Sequence, residues 1–279
     1  MSMGTESVEG VTVARLSLNQ ITTQRWGVRE AVAGCAEAGI PAIGLWRDKV
    51  AEIGLAEAAR LVRDAGLRVS SLCRGGMFPA ATARERAARL DDNRRAVDEA
   101  AALGAAVLVL VCGPAPDRDL DAARAMVADG IAALIPYAAE RGVVLGIEPL
   151  HPAFAGDRSV IVTLAQAMGL ARGLGSPTVG VVVDTYHVWW DPEVYRGIAA
   201  AGDLIVGFHV SDWPVPNTEP LMSRAMMGDG VVELRRLRAA VDAAGYRSPI
   251  EVEIFNRAVW AMPGADALRL MKERFVEHV

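Results

Sequence analysis

Short runs of Val, Ile and Leu alternate along this chain with longer Ala-rich stretches in which apolar residues recur every three or four positions. Strands buried on both faces read as such near-continuous apolar runs, and helices covering them show the longer period. The strand candidates are VARLSLN (13–19), AIGLW (42–46), RVSSLC (68–73), AVLVLVC (106–112), GVVLGIE (142–148), VGVVVD (179–184), LIVGFHV (204–210) and PIEVEIF (249–255). Between the fourth and fifth, Leu120, Ala123, Val127, Ile131 and Leu134 would cover one face of a helix over 120–140. Eight strand–helix units predict an α/β fold, a (β/α)8 TIM barrel, as a single domain over residues 11–279 behind a flexible N-terminus, residues 1–10. A doubly wound open sheet is the rival. It usually carries a Gly-rich turn after its first strand, and LSLNQITTQRW contains no glycine.

In a barrel, the residues that end the strands face the active site. The stretch TVGVVVDTYHVWWDP is greasy until it delivers Asp184 and then His187. Glu148 closes the fifth strand, Asp184 the sixth, His209 lies near the end of the seventh and Glu253 near the end of the eighth, at separations of 36, 25 and 44 residues. Four consecutive strands therefore aim three carboxylates and an imidazole at one spot. A lone acidic residue at a strand end is ordinarily a helix cap or the partner of an arginine. Three crowded carboxylates repel and raise one another's pKa unless a cation compensates them, and a divalent metal does so directly. Three oxygens and one nitrogen suit a fairly hard ion, Mn2+ first, then Mg2+, Co2+ or Zn2+.

Composition removes other classes. A net charge of -5 leaves no electrostatic footprint for nucleic acid, and no apolar run approaches the roughly 18 residues of a membrane span, so neither partner is expected. Three widely spaced cysteines, outside any CxxC spacing, argue against a disulfide framework and for a reducing, cytoplasmic setting. The polar start MSMGTESVEG is unlike a signal peptide. GDG at 228–230 lacks the Lys of a phosphate loop, which argues against a phosphorylated substrate.

The barrel together with GIEP, VVDTYH, FHVSD and VEIF resembles the xylose isomerase-like superfamily of sugar isomerases and epimerases, ketose 3-epimerases among them. The likeness spans nearly the whole chain, with its specific part in the last four strands. It implies that Glu148, Asp184, His209 and Glu253 bind the metal, that Glu148 and Glu253 double as the acid/base pair, and that His187 of the Asp-x-x-His pattern touches a substrate oxygen. It also selects Glu253 over Glu251, which alternation alone does not. Arg224, before a PGDG-like turn written here MMGDG, would hold a substrate hydroxyl or carboxylate; a surface salt bridge is the alternative. Trp46 and Arg74, ending strands two and three, are expected to line the pocket. His151 reads equally as a pocket or a loop residue. Trp189 and Trp190 read as packing, and His278 as a solvated tail residue.

The expected partner is a sugar or sugar-like small molecule. The expected chemistry is isomerisation or epimerisation by proton transfer through a metal-stabilised enediolate. The rivals are a lyase or dehydratase of the same fold, including a C-glycoside-cleaving subunit that needs a partner chain, an abasic-site endonuclease, and a non-catalytic binding barrel. The endonuclease would need more than the chain's four histidines and a basic face. The long loop from Asp212 to Gly230, with Trp213, Met222, Met226 and Met227, would pack over the mouth or against another subunit, which leaves a homo- or hetero-oligomer open. Members often carry a glutamate on strand two, where this chain reads IGLW, and SLCRGGMF after strand three is not assigned to a sugar pocket by the resemblance.

Overall fold

Eight parallel strands close on themselves in chain order in the computed structural model, which describes residues 13–279. The strands are β1 (Leu16–Asn19), β2 (Ala42–Trp46), β3 (Arg68–Gly76), β4 (Val107–Val111), β5 (Val144–Ile147), β6 (Val179–Asp184), β7 (Ile205–Val210) and β8 (Ile250–Val252). Closure comes from β1 pairing with both β2 and β8. The expected N-terminus, residues 1–10, and the domain's first residues lie outside the described residues.

All eight expected strands form, but several are shorter than their apolar runs. Val13–Arg15 is a 3-10 turn because Arg15 leaves the sheet to bond Asp242 (2.7 Å) and the Ser248 carbonyl. Glu148 and Glu253 fall just beyond β5 and β8, tied back by backbone bonds to Leu110 and Val210. β3 runs three residues past its apolar stretch, since Gly75 and Gly76 keep pairing with β4.

Two apolar regions result. Between sheet and helices lies a continuous core, to which the helix Leu120–Glu140 contributes Ala123, Val127, Ile131, Leu134 and Ala138. That helix corrects one expectation: by length and composition it is apolar enough to cross a bilayer. Here its apolar stripe packs onto the barrel. Inside the barrel, Cys73, Val107, Val109 and Val182 form a second cluster. The valines have room because Gly146 and Gly180 face them; a Cβ on Gly146 would sit 2.6 Å from Val107 Cγ1, and one on Gly180 2.3 Å from Val206 Cγ1. The barrel's floor is thus packed shut.

Asn93, fully buried on the long helix Ala83–Leu103, anchors the end of β3. Its side chain accepts from Gly76 N (2.6 Å) and donates to Gly76 O (2.8 Å) and Arg89 O (2.9 Å). Asn93→Ala leaves buried backbone groups without partners, so a loss of about 2–3 kcal/mol is expected from urea denaturation. A change below about 0.5 kcal/mol would show that water replaces the amide.

Candidate metal centre

Glu148, Asp184, His209 and Glu253 meet at the carboxyl end of the barrel, all buried, with one ligand atom from each lying within 4.8 Å of the others. Each sits where parallel strands stop: register pairs Asp184 with His209 across β6 and β7. Asp184 also caps the short helix Thr185–Val188 by accepting from Tyr186 N (2.8 Å) at Oδ1, which leaves Oδ2 turned toward Arg224.

The donor set fits a divalent cation. His209 Nδ1 lies 3.3 Å from Glu148 Oε1 and 3.6 Å from Glu253 Oε2. Yet Nδ1 and Oε1 are both buried without a hydrogen-bond partner among the described residues. A cation bonded at about 2.1–2.2 Å would place donor atoms up to about 4.4 Å apart, close to the span seen. These four residues could therefore hold a metal ion.

The electrostatics agree. Burial, with the charges of Glu253 and Asp184 adding to it, pushes the Glu148 carboxyl up to about 7 despite the His209 ring beside it. Burial alone would depress His209, but Glu251, Glu148 and Glu253 overcome it and hold the ring well above its usual value. Burial would raise Asp184 too; the Arg224 guanidinium prevails and keeps it below the usual carboxylate range. Cys73 feels the same field, its thiol pushed up by burial and by Glu253, Glu251 and Glu148.

These shifts set a pH dependence in the chelated protein. Groups whose folded pKa is raised stabilise the fold at low pH and lose that contribution as pH climbs through the folded value. For Glu148 that loss runs from the ordinary carboxylate range up to about pH 7, and for His209 it runs upward from about 6.5. His187, pushed down to about 3 by burial, and His151, also lowered, act oppositely but only below their ordinary 6.5. Stability in EDTA is thus expected to fall as pH is raised from about 6.5 to about 8.5. Urea midpoints that stay level or rise over that range would refute it.

Arg224 is buried in the site rather than engaged at the surface. It reaches Asp184 Oδ2 (2.7 Å) and Glu253 Oε2 (3.1 Å), with its second amino group 2.9 Å from His187 Nε2. It lies over the rings of Tyr186 and Phe255 at 4.7 and 5.4 Å. His187 Nδ1 accepts the His151 backbone N–H (3.0 Å), which assigns the proton of the neutral ring to Nε2. The Nε2–H of His187 and the Arg224 guanidinium thus lie side by side as donors.

The segment carrying Arg224 straps the mouth. Asp212 accepts from Trp213 N, Gly228 N and Val232 N, each at 2.9 Å, and Met226 and Met227 are buried. Trp213 stacks on His151 at 4.6 Å and tilts against Tyr186 at 4.7 Å. His151 itself caps the 3-10 turn Pro152–Phe154, so its ring belongs to the wall while its backbone orients His187. Trp190 joins that wall, 5.7 Å from His151, and Trp189 lies 5.6 Å from Trp213. Trp46 donates to Asn19 Oδ1 (2.8 Å) and meets Phe255 edge-on at 5.6 Å. Arg74 lies in an adjoining cleft. His278 is not a free tail residue; its ring packs on Gly228.

Sequence reasoning missed Asn19, Phe255 and Arg158, and weighed Glu251 only as the rival of Glu253. Glu251 is buried below His209, with Oε2 3.7 Å from Nε2 and accepting from Asn19 Nδ2 (3.0 Å). Asn19, a polar residue ending LSLN, had the same signal as Asp184.

Known proteins share this architecture. A family model described as a xylose isomerase-like TIM barrel matches residues 32–274. The protein SMc04130 from Sinorhizobium meliloti 1021 superimposes with a TM-score of 0.94 at 48% identity, covering 96% of this chain and 99% of that one. A 3-dehydroshikimate dehydratase of Pseudomonas putida is 32% identical over 173 residues, 58% of this chain and 26% of that protein. A ketose 3-epimerase of Arthrobacter globiformis is 26% identical over 169 residues, 60% of this chain and 55% of that protein. The chain thus matches about a quarter to a half of the length of these two relatives. With 243 consecutive positions under one family model, and a closed eight-stranded parallel barrel beneath them, the chain belongs to the xylose isomerase-like TIM barrel family.

Proposed function

We propose that this protein is a metal-dependent enzyme that removes a proton next to the carbonyl of a sugar-like hydroxyketone and returns it, as an isomerase or epimerase. One observation carries the reading: two buried carboxylates, Glu148 and Glu253, flank His209 Nδ1 at the barrel mouth while Asp184 completes the set. When bound, a divalent cation, Mn2+ first, would supply Lewis-acid stabilisation of negative charge on two neighbouring substrate oxygens.

The chain's own groups do the rest. Glu148 and Glu253 act as proton acceptor and donor, one on each side of the reacting carbon, a placement that lets a proton leave one face and return on the other. Burial raises the Glu148 carboxyl, and a bound cation would oppose that rise and favour the carboxylate form that accepts the proton. His187 Nε2–H and Arg224 converge on one acceptor, a substrate oxygen that gains negative charge as the proton leaves. Trp213, His151 and Tyr186 roof the site and exclude water. Free buried cysteines support a reducing, cytoplasmic setting.

A second reading is dehydration, favoured by the 32% identity to a 3-dehydroshikimate dehydratase. It begins with the same proton removal and ends with loss of a β-hydroxyl as water. Incubating the Mn2+-loaded protein in D2O with ketoses, inososes and 3-dehydroshikimate, followed by NMR and mass spectrometry, tests both. Deuterium at the carbon beside the carbonyl with otherwise unchanged mass supports the first reading; loss of 18 mass units, about one water, supports the second. Exchange with none of them sinks the proposal.

A further inference from the structure

β3 carries an extra residue near its end. Cys73 pairs with Val109 and Gly75 with Leu110, so Arg74 stands outside the ladder. Such a bulge re-aims a side chain. Arg74 lines a cleft of about 550 Å3 with Trp46, Cys73, Gly76, Arg89 and Asp92. Cys73 and Trp46 also border the metal centre, the first through the field of its carboxylates and the second through Phe255, so the cleft opens beside that site.

The other cations here are engaged. Arg47 bonds Asp92 and Glu99 at 2.9 and 2.6 Å, and Arg89 donates to Met77 O at 2.6 Å. Arg74 is half-buried and has no hydrogen-bond or ion-pair partner among the described residues. A second cation comes near it from the loop after β5. Arg158 precedes Ser159, which bridges to Gly113, and Gly113 packs on Met77, three residues beyond Arg74. Arg158 Nε is buried and likewise without a partner. Burial, with the positive charge of Arg158 adding to it, holds the Arg74 guanidinium below its usual range. Two neighbouring cations left unpaired out of bulk water cost free energy that a bound anion would offset.

We propose that Arg74, with Arg158 beside it, receives a carboxylate of the substrate at the end remote from the reacting carbons, so that the substrate is a hydroxylated keto acid. The proposal rests on the proton-transfer function above and names its substrate class. A planar guanidinium matches a carboxylate through two parallel N–H bonds. A phosphate dianion fits less well, because Asp48 and Asp92 line the same cleft.

Three probes share a ketose head and differ only at the sixth carbon: D-fructose, D-fructuronate and D-fructose 6-phosphate. Calorimetry on the Mn2+-loaded protein is expected to show D-fructuronate binding at least about tenfold more tightly than D-fructose, as charged hydrogen bonds allow. Arg74→Gln should erase that advantage, Arg74→Lys should restore part of it, and Arg158→Gln, which also serves if Arg74→Gln misfolds, should reduce it. Equal affinities, preference for the phosphate, no measurable fructuronate binding, or an equal loss of fructose and fructuronate binding in Arg74→Gln each overturn the proposal. Deuterium exchange on the same samples separates the two ideas. Acid-selective binding without exchange sinks the proton-transfer function alone, whereas exchange without acid selectivity sinks the carboxylate receptor alone.

Discussion

Glu148→Gln and Glu253→Gln should each lose interconversion of substrate and product by about 10²–10⁴-fold, the usual worth of a positioned acid or base. The two variants should nevertheless differ. If the carboxylates serve opposite faces of one carbon, a variant that keeps one base can still take a proton from the epimer facing it and return a deuteron from the same side. Each variant is then expected to incorporate solvent deuterium into one epimer only, while converting neither. Glutamine keeps an amide oxygen where the carboxylate was, and metal content measured on the same samples separates lost chemistry from a lost ion. Full interconversion in both variants would refute the two-base assignment.

The second large effect concerns the metal. Adding Mn2+ to chelated protein at about 100 times Kd should stabilise the fold by about 2.7 kcal/mol, or roughly 4–5 °C in Tm for a chain of this size. Asp184→Asn should nearly abolish that increment. Asparagine can still cap Tyr186 through its carbonyl oxygen, so the cap at 2.8 Å survives and the lost charge dominates. Metal affinity should fall by more than the roughly 10–100-fold that even outer partners of a metal site control. A variant whose melting temperature rises with Mn2+ as much as the parent's would remove Asp184 from the ligand set.

Much of this arrangement is legible in the amino-acid sequence. Runs such as AVLVLVC have no competing periodicity, so they announced buried parallel strands, and polar residues at their ends announced the mouth. Asp184 and His209 stood out because an apolar strand makes any charged terminus conspicuous. Glu251 and Glu253 could not be separated by alternation. The structure separates them by ending β8 at Val252: Glu253 rises into the cluster, while Glu251 stays below His209 with Asn19. Arg224 was ambiguous for a different reason, since its role depends on a loop folding back through Asp212, a tertiary event without local signature. Arg74 was visible as a strand-end residue, but its bulge and the approach of Arg158 depend on register and on a bridge between distant loops.

The valine and glycine packing that seals the barrel floor has a kinetic corollary. Among the described residues, Val107, Val182 and Val206 fill the space that Gly146 and Gly180 leave inside the barrel. With that space filled, substrate and product would share the mouth that the 212–230 strap overhangs. Product would then compete directly with incoming substrate, and how quickly that strap lifts would set a ceiling on turnover however fast the proton moves.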